Sequence, residues 1–258
     1  MLRSGANLKN GLIGAFYFVR LVTSPKRRAY FGALFLDCVE GETVRRAYER
    51  FCALSTSAEV LRKRPDPAGA LDDRAALGGC PPGSLGRVYL DFMVSNGLES
   101  GFITEASDMF SRMRGEDEQE TWYRRHISVA HDLRHVISGY DVSPRGEFCS
   151  FCFSLAQTGH TGVAWLALLA ATLPLSKGDF GFLPAGAEAY RRGKAATSID
   201  FLPWELCLEA PLAQCRASLG LEPPARFPAH VAPEAYVTVA VAGAGQRPAG
   251  RPAVLAPV

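Results

Sequence analysis

The 258-residue chain has no apolar run long enough to cross a bilayer as a helix, which takes about 20 residues. Its longest candidate, VAWLALLAATLPL from Val163 to Leu175, stops at thirteen and reads as a buried core helix. A secretory signal is not expected either. Arg20 interrupts the apolar stretch near the N-terminus, and no small-residue cleavage site follows. The same segment is poor in arginine for a mitochondrial transit peptide. A strong charge of one sign is missing: the net charge is +2, with 21% charged residues. Without a basic stripe and interleaved aromatics, nothing supports nucleic acid as a partner. The seven cysteines follow no framework spacing, which points to free thiols in a reducing compartment. There is no internal repeat.

What the sequence does have is 48% hydrophobic content and helical periodicity. In ETVRRAYERFCAL, Val44, Ala47, Tyr48, Phe51 and Leu54 share one face. Thr56 with Glu59 reads as a capping box for a following helix. Residues 65–84 read as a connector with at most one helical turn. Ser84 then caps a helix with the stripe Leu85, Tyr89, Phe92 and Met93, and Gly97 ends it. A helix is expected from Trp122 to Ser138, closed by Gly139. Ser143 and Pro144 open the next, with Phe148, Phe151, Cys152 and Leu155 on it. A last helix is expected over Pro203 to Gly220, bent or split at Pro211. The expectation is an all-α chain in three parts. Residues 1–42 form an N-terminal helical segment suited to a membrane interface. Residues 43–221 form one helical domain. Residues 222–258, rich in proline and alanine, read as a disordered tail.

The chemistry concentrates in HDLRHVISGYDVSPRGEF, from His131 to Phe148. His131 and His135 stand four apart, so a helix aims both imidazoles at one point. Asp132 is about 100° around the helix, near enough to ligate or to hold a ligand. Gly139, Pro144 and Gly146 make a turn that can bring Glu147 back to face the histidines. Two imidazoles with one or two carboxylates suit Zn(II), Fe(II) or Mn(II). The same residues also fit a plain polar helix end, so spacing alone leaves both open. A His-Asp phosphohydrolase would need a more distant upstream histidine than His126. Cys149 and Cys152 read as core thiols. His160 reads as a loop histidine that could approach the site, and Glu205 as a capping or pairing carboxylate. Arg134 could meet a substrate carboxylate or sit in a surface salt bridge.

His131-Asp132-x-x-His135, eleven residues, then Glu147 resembles the metal motif of the coenzyme Q biosynthesis protein 4 family. PPGSLGRVYLDFMVSNGL, YRRHISVAHDLRHVISGYDVSPRGE, FSLAQTGHTG, YRRGKAA and PWELCLEAPLAQCRASLGL follow in the family's order. The resemblance covers roughly residues 43–221. It implies an all-helical domain with a metal-binding helix-turn-helix. It implies metal ligation by His131, Asp132, His135 and Glu147, with Zn(II) first and Fe(II) or Mn(II) as alternatives, and it makes these four the catalytic candidates. Arg134 becomes the candidate for substrate binding. The implied function is removal of the ring carboxylate, with oxidation at that carbon, from a polyprenylated benzoate precursor of ubiquinone. A non-catalytic prenyl-lipid-binding organiser of the other ubiquinone-synthesis enzymes is the alternative. The implied partners are the prenylated quinone precursor, those enzymes and the membrane surface, and a homodimer stays open. The location would be the cytoplasmic membrane face in a bacterium, or the matrix side of the mitochondrial inner membrane in a eukaryote.

Overall fold

The computed structural model describes residues 3–24, 28–39, 43–98, 108 and 117–227. Among these residues the chain is all-α, and an isolated bridge between Ser84 and Pro211 is the extent of strand pairing. The first two helices, α1 (Arg3–Thr23) and α2 (Arg28–Val39), run antiparallel. Gly14 lies beside Cys38 and Val39, the rings of Phe18 and Phe35 are 5.4 Å apart, and Gly32 faces Leu21. Leu21, Phe31, Leu34, Phe35 and Cys38 bury themselves together with Leu166 from a later helix. The N-terminal segment is therefore a hairpin seated on the rest of the chain.

The next stripe behaves as the sequence predicts. Helix α3 (Thr43–Cys52) buries Val44 and Phe51 against Trp122 and Tyr123. The capping box does not form. Helix α4 (Ala58–Lys63) starts without a side-chain cap, and Glu59 pairs with Lys63 at 2.7 Å instead. The expected connector holds two short helices, α5 (Pro67–Asp72) and α6 (Arg74–Gly79). Asp66 and Asp73 are the reason: each carboxylate accepts from a backbone N–H in the first turn, Ala68 at 3.2 Å and Ala76 at 2.9 Å. Helix α7 (Leu85–Asn96) has the expected Ser84 cap, and Gly97 ends it in the left-handed conformation, φ 62°.

The helix expected from Trp122 to Ser138 is two. Asp117 caps α8 (Glu118–Val129), the chain breaks at Ala130 with ψ near 5°, and α9 (His131–Ser138) begins at the first histidine. Ser143 caps α10 (Pro144–Thr158) as expected. Then come α11 (Thr161–Ser176) and α12 (Leu183–Ala195). Helix α11 is not the wholly buried helix expected: Leu166, Ala167 and Ala171 are buried, while Trp165 and Leu168 face outward. The segment from Pro203 divides into a single turn, Trp204–Leu206, and α13 (Leu212–Ser218). Pro211 takes the N-cap of α13, where its missing N–H costs nothing.

Leu133, Val136 and Ile137 of α9 are buried at the centre of the main core, with Tyr140, Phe153, Phe182, Trp204 and Leu212 around them. Helix α12 approaches α10 through glycines. A Cβ at Gly193 would meet the Phe153 carbonyl oxygen at 2.5 Å, and one at Gly186 would collide with the Phe148 ring. The expected tail boundary moves. Phe227 is buried with its ring 5.4 Å from Tyr140, and Ala225 N donates to Glu188 at 2.6 Å. Residues 222–227 therefore dock on the core, and 228–258 lie outside the described residues.

Candidate metal centre

Helix α9 starts at His131 and ends at Gly139, whose left-handed φ of 84° turns the chain back toward α10. Asp141 and Ser143 tighten that turn, Ser143 N donating to the Asp141 carboxylate at 3.0 Å. A Cβ at Gly146 would run into Asp141, so only glycine fits there. The result delivers Glu147, in the first turn of α10, to the histidines. One ligand atom each from His131, His135 and Glu147 come within 4.8 Å of one another. His135 Nε2 and Glu147 Oε2 are 3.6 Å apart. The two imidazoles stand nearly perpendicular, 86°, with centroids 5.1 Å apart.

Each imidazole is braced. His135 is fully buried, its ring stacked on Phe92, and Nδ1 donates to the Tyr140 carbonyl at 3.2 Å. That bond places the lone pair of the neutral ring on Nε2, which is buried and has no hydrogen-bond partner among the described residues. His131 stacks on Phe151. Burial, helped by the neighbouring His135, lowers the His131 pKa, so this imidazole stays neutral. At His135 burial also disfavours the cation, but Glu147, Asp132 and the Tyr140 carbonyl outweigh it and the pKa rises. Burial would raise Glu147, yet His135 and His131 hold its carboxyl below the usual range.

These residues fit a divalent metal. Ligand atoms about 2.0–2.1 Å from a tetrahedral ion stand about 3.3 Å apart. The 3.6 Å pair already approaches that spacing, and small rotations close the rest. A buried imidazole nitrogen that makes no hydrogen bond among the described residues and faces a carboxylate oxygen at 3.6 Å is the donor such an ion takes. Asp132 does not enter the trio; it is largely buried in the first turn of α9 and acts on both histidines through its charge.

His131 and Glu147 open on a cavity of about 990 Å³. Apolar side chains of six helices line it, among them Leu21, Leu36, Phe151, Val163, Leu166 and Leu169. Arg134 also lines it, paired with Asp200 in a largely buried ion pair rather than a surface one. No local pattern points to Asp200, which lies 66 residues downstream on a single turn, Ile199–Phe201. Tyr140 and Phe92 were also missed as supports of His135. Tyr140 is the first residue past the helix-ending glycine, a position from which a carbonyl can reach back.

The other candidates sort cleanly. His126 is fully buried and donates from Nδ1 to Glu205 at 2.6 Å, so Glu205 pairs as expected and His126 stays out of the trio. His160 caps α11, accepting from Gly162 N at 3.1 Å, and lines the cavity. Cys149 and Cys152 are free thiols that burial pushes up to about 12 and about 11.

The model of the family described as coenzyme Q (ubiquinone) biosynthesis protein Coq4 matches residues 9–225. A ubiquinone biosynthesis protein COQ4, mitochondrial, from Phaeosphaeria nodorum is 27% identical over 176 residues, 68% of this chain and 59% of its own length. The COQ4 homolog, mitochondrial, of Rattus norvegicus is 28% identical over 175 residues, 67% of this chain and 63% of its own. The chain thus spans about 60% of the length of these relatives. A crystal structure of a protein from Nostoc punctiforme shares the fold, with a TM-score of 0.58 at 18% identity over 82% of this chain and 98% of that one. The family model covers most of the chain, and the chain belongs to the coenzyme Q (ubiquinone) biosynthesis protein Coq4 family.

Proposed function

We propose that the chain works in ubiquinone biosynthesis as a metal-dependent enzyme that removes the ring carboxylate of a polyprenylated benzoate as CO2, with oxidation at that carbon by dioxygen, the external two-electron oxidant. One observation carries the reading: a His131–His135–Glu147 trio at the wall of an apolar cavity of about 990 Å³. Three protein donors leave further positions on a metal, as catalytic sites do and closed structural sites do not. A bound Zn(II), Fe(II) or Mn(II) would supply Lewis acidity toward a carboxylate or phenolate. The chain's own part is to hold and orient the substrate. The cavity takes the prenyl chain among Leu21, Leu36, Leu166 and Leu169 and keeps water from the ring. Arg134, already turned toward the cavity, meets the ring carboxylate, and Asp200 fixes the guanidinium in place. Asp132 holds the field at the histidines.

Ubiquinone precursors are membrane lipids, so the partners proposed are the prenylated precursor, the membrane surface and the other ubiquinone-synthesis enzymes. Among the described residues no helix is long and apolar enough to cross a membrane. The relatives' names place them in mitochondria, and the same location is proposed here, at the matrix face of the inner membrane. The deciding experiment combines metal analysis of protein purified without chelator with release of label from a carboxyl-labelled prenylated benzoate. Stoichiometric metal and metal-dependent release are expected. Metal-free protein with full activity would sink the reading. Metal-loaded protein that binds the lipid but never releases label would select the organiser.

A further inference from the structure

Helix α9 ends in carbonyl groups that its own N–H groups cannot reach. Two arginines take them. Arg216 donates from Nη2 to Val136 O at 2.7 Å and from Nε to Ile137 O at 2.9 Å. Arg192 donates from Nη2 to Ser138 O at 3.1 Å. Both cations also suit the negative end of the helix. Their roles then diverge. Arg192 reaches one residue further, donating from Nη1 to the Tyr140 hydroxyl at 2.6 Å. Its guanidinium lies over the Tyr140 ring, 5.3 Å from the centroid, and over Phe153 at 5.9 Å. It is anchored from behind by the Glu222 carbonyl.

Tyr140 is the residue whose carbonyl accepts from His135 Nδ1. It follows Gly139, a residue with wide backbone freedom, so the peptide that selects the imidazole tautomer hangs on a permissive hinge. Arg192 holds Tyr140 on both sides of that hinge: at Ser138 before it and at the phenol after it. We propose that Arg192 is a positioning residue of the metal centre. It fixes the Tyr140 carbonyl against His135 Nδ1 and so keeps the lone pair of Nε2 aimed at Glu147 and the metal. Gly193, the next residue, is what lets α12 come close enough to α10 for this reach. The inference rests on the metal reading above.

The test is Co(II) titration of the metal-free protein, read by its visible absorption spectrum, with melting temperature followed separately. Wild type should bind one Co(II). Arg192→Ala should bind it about 10–100-fold more weakly, the range for losing a support behind a metal-bound histidine, with an altered spectrum. Arg192→Lys should recover part of the loss, since an ammonium reaches Ser138 O or the phenol but not both as a rigid fork. Tyr140→Phe keeps ring and carbonyl and removes only the arginine's acceptor. It should weaken Co(II) binding in the same direction by a smaller factor, and it decides the matter if Arg192→Ala does not fold. Arg216→Lys, which disturbs only the helix end, should lower melting temperature and leave Co(II) affinity within about twofold. Unchanged affinity and spectrum in Arg192→Ala or Tyr140→Phe, beside a wild type that binds, would overturn the inference alone. A wild type that binds no Co(II) would overturn the metal reading and this inference with it.

Discussion

Leu133 and His135 stand two residues apart on α9, both fully buried, yet their loss belongs to different measurements. Leu133 packs in the main core, so Leu133→Ala should cost about 2–5 kcal/mol of stability, read by denaturant unfolding, with metal stoichiometry intact. His135→Ala or Glu147→Ala should abolish metal binding and quinone synthesis in a dependent strain while helical content survives. Glu147→Ala with full metal and activity would refute the site. The protonation of the same pair gives a pH dependence. Glu147 raises His135 above its usual value near 6.5, and His135 must lose its proton to ligate. Co(II) affinity should therefore weaken about tenfold per unit as pH falls through the raised pKa. In the metal-free protein the signs separate. The His135 contribution to stability is present below 6.5 and lost as pH rises through its raised value. The Glu147 contribution is present above 4.5 and lost as pH falls through its lowered value. A Co(II) affinity flat across pH 5–8 would exclude His135 as a ligand. The histidine pair was legible in the sequence because i, i+4 spacing is a local geometric rule, while Glu147 was expected from the turn over residues 139–146 and from the family resemblance. Asp200, Tyr140 and Arg192 were not, since each reaches the site through tertiary packing that no local spacing records.

At the scale of the element, the sequence reading did best where a cap or breaker stood alone. Ser84, Gly97, Ser143 and Gly139 all end or begin helices as read. It failed where two local signals competed. Glu59 had both a capping role and Lys63 four residues on, and the ion pair prevailed. Asp66 and Asp73 were overlooked because prolines and glycines around them suggested a loop. The break at Ala130 has no breaker residue at all; it arises because α8 packs on α3 and α5 while α9 enters the main core. That break sets where α9 begins and so where His131 points. The contact between α10 and α12 is the other placement that matters, because α10 brings Glu147 and α12 brings Arg192. Gly193→Ala would press a methyl group onto the Phe153 carbonyl and Ala156. Overpacking of this kind costs about 1–3 kcal/mol. The expected outcome is a lower melting temperature together with weaker Co(II) binding, because α12 must withdraw and take Arg192 with it. A variant as stable as wild type would show that the two helices can part without strain.

At the scale of the whole molecule, α1 and α11 carry apolar side chains that the described residues leave exposed. On α1, Leu12, Phe16, Val19 and Val22 are exposed at 68%, 58%, 56% and 46%, at spacings of four, three and three that keep them on one side. On α11, Trp165 and Leu168 continue the surface, and Phe18 joins the two helices through its contact with Trp165 at 6.3 Å. The reading of residues 1–42 as an interfacial segment came from composition. The hairpin with α2 and the part played by α11 were not legible there, because they depend on which faces meet. Val22 belongs to this apolar face and also lines the cavity that reaches His131 and Glu147. A lipid with a long apolar chain could pass from a bilayer into the cavity without crossing water. Full burial of side chains this size contributes about 1.5–3 kcal/mol each, so a few partly inserted ones suffice for reversible binding. The protein should therefore float with liposomes containing anionic lipid. Phe16→Glu with Leu168→Glu places two charges in the face without touching the core, since both side chains are more than half exposed. The double variant should keep its helical content, melting temperature and Co(II) affinity, and remain in the soluble fraction. Flotation equal to wild type would show that this face is not what meets the membrane, and a wild type that never floats would rule out membrane docking altogether.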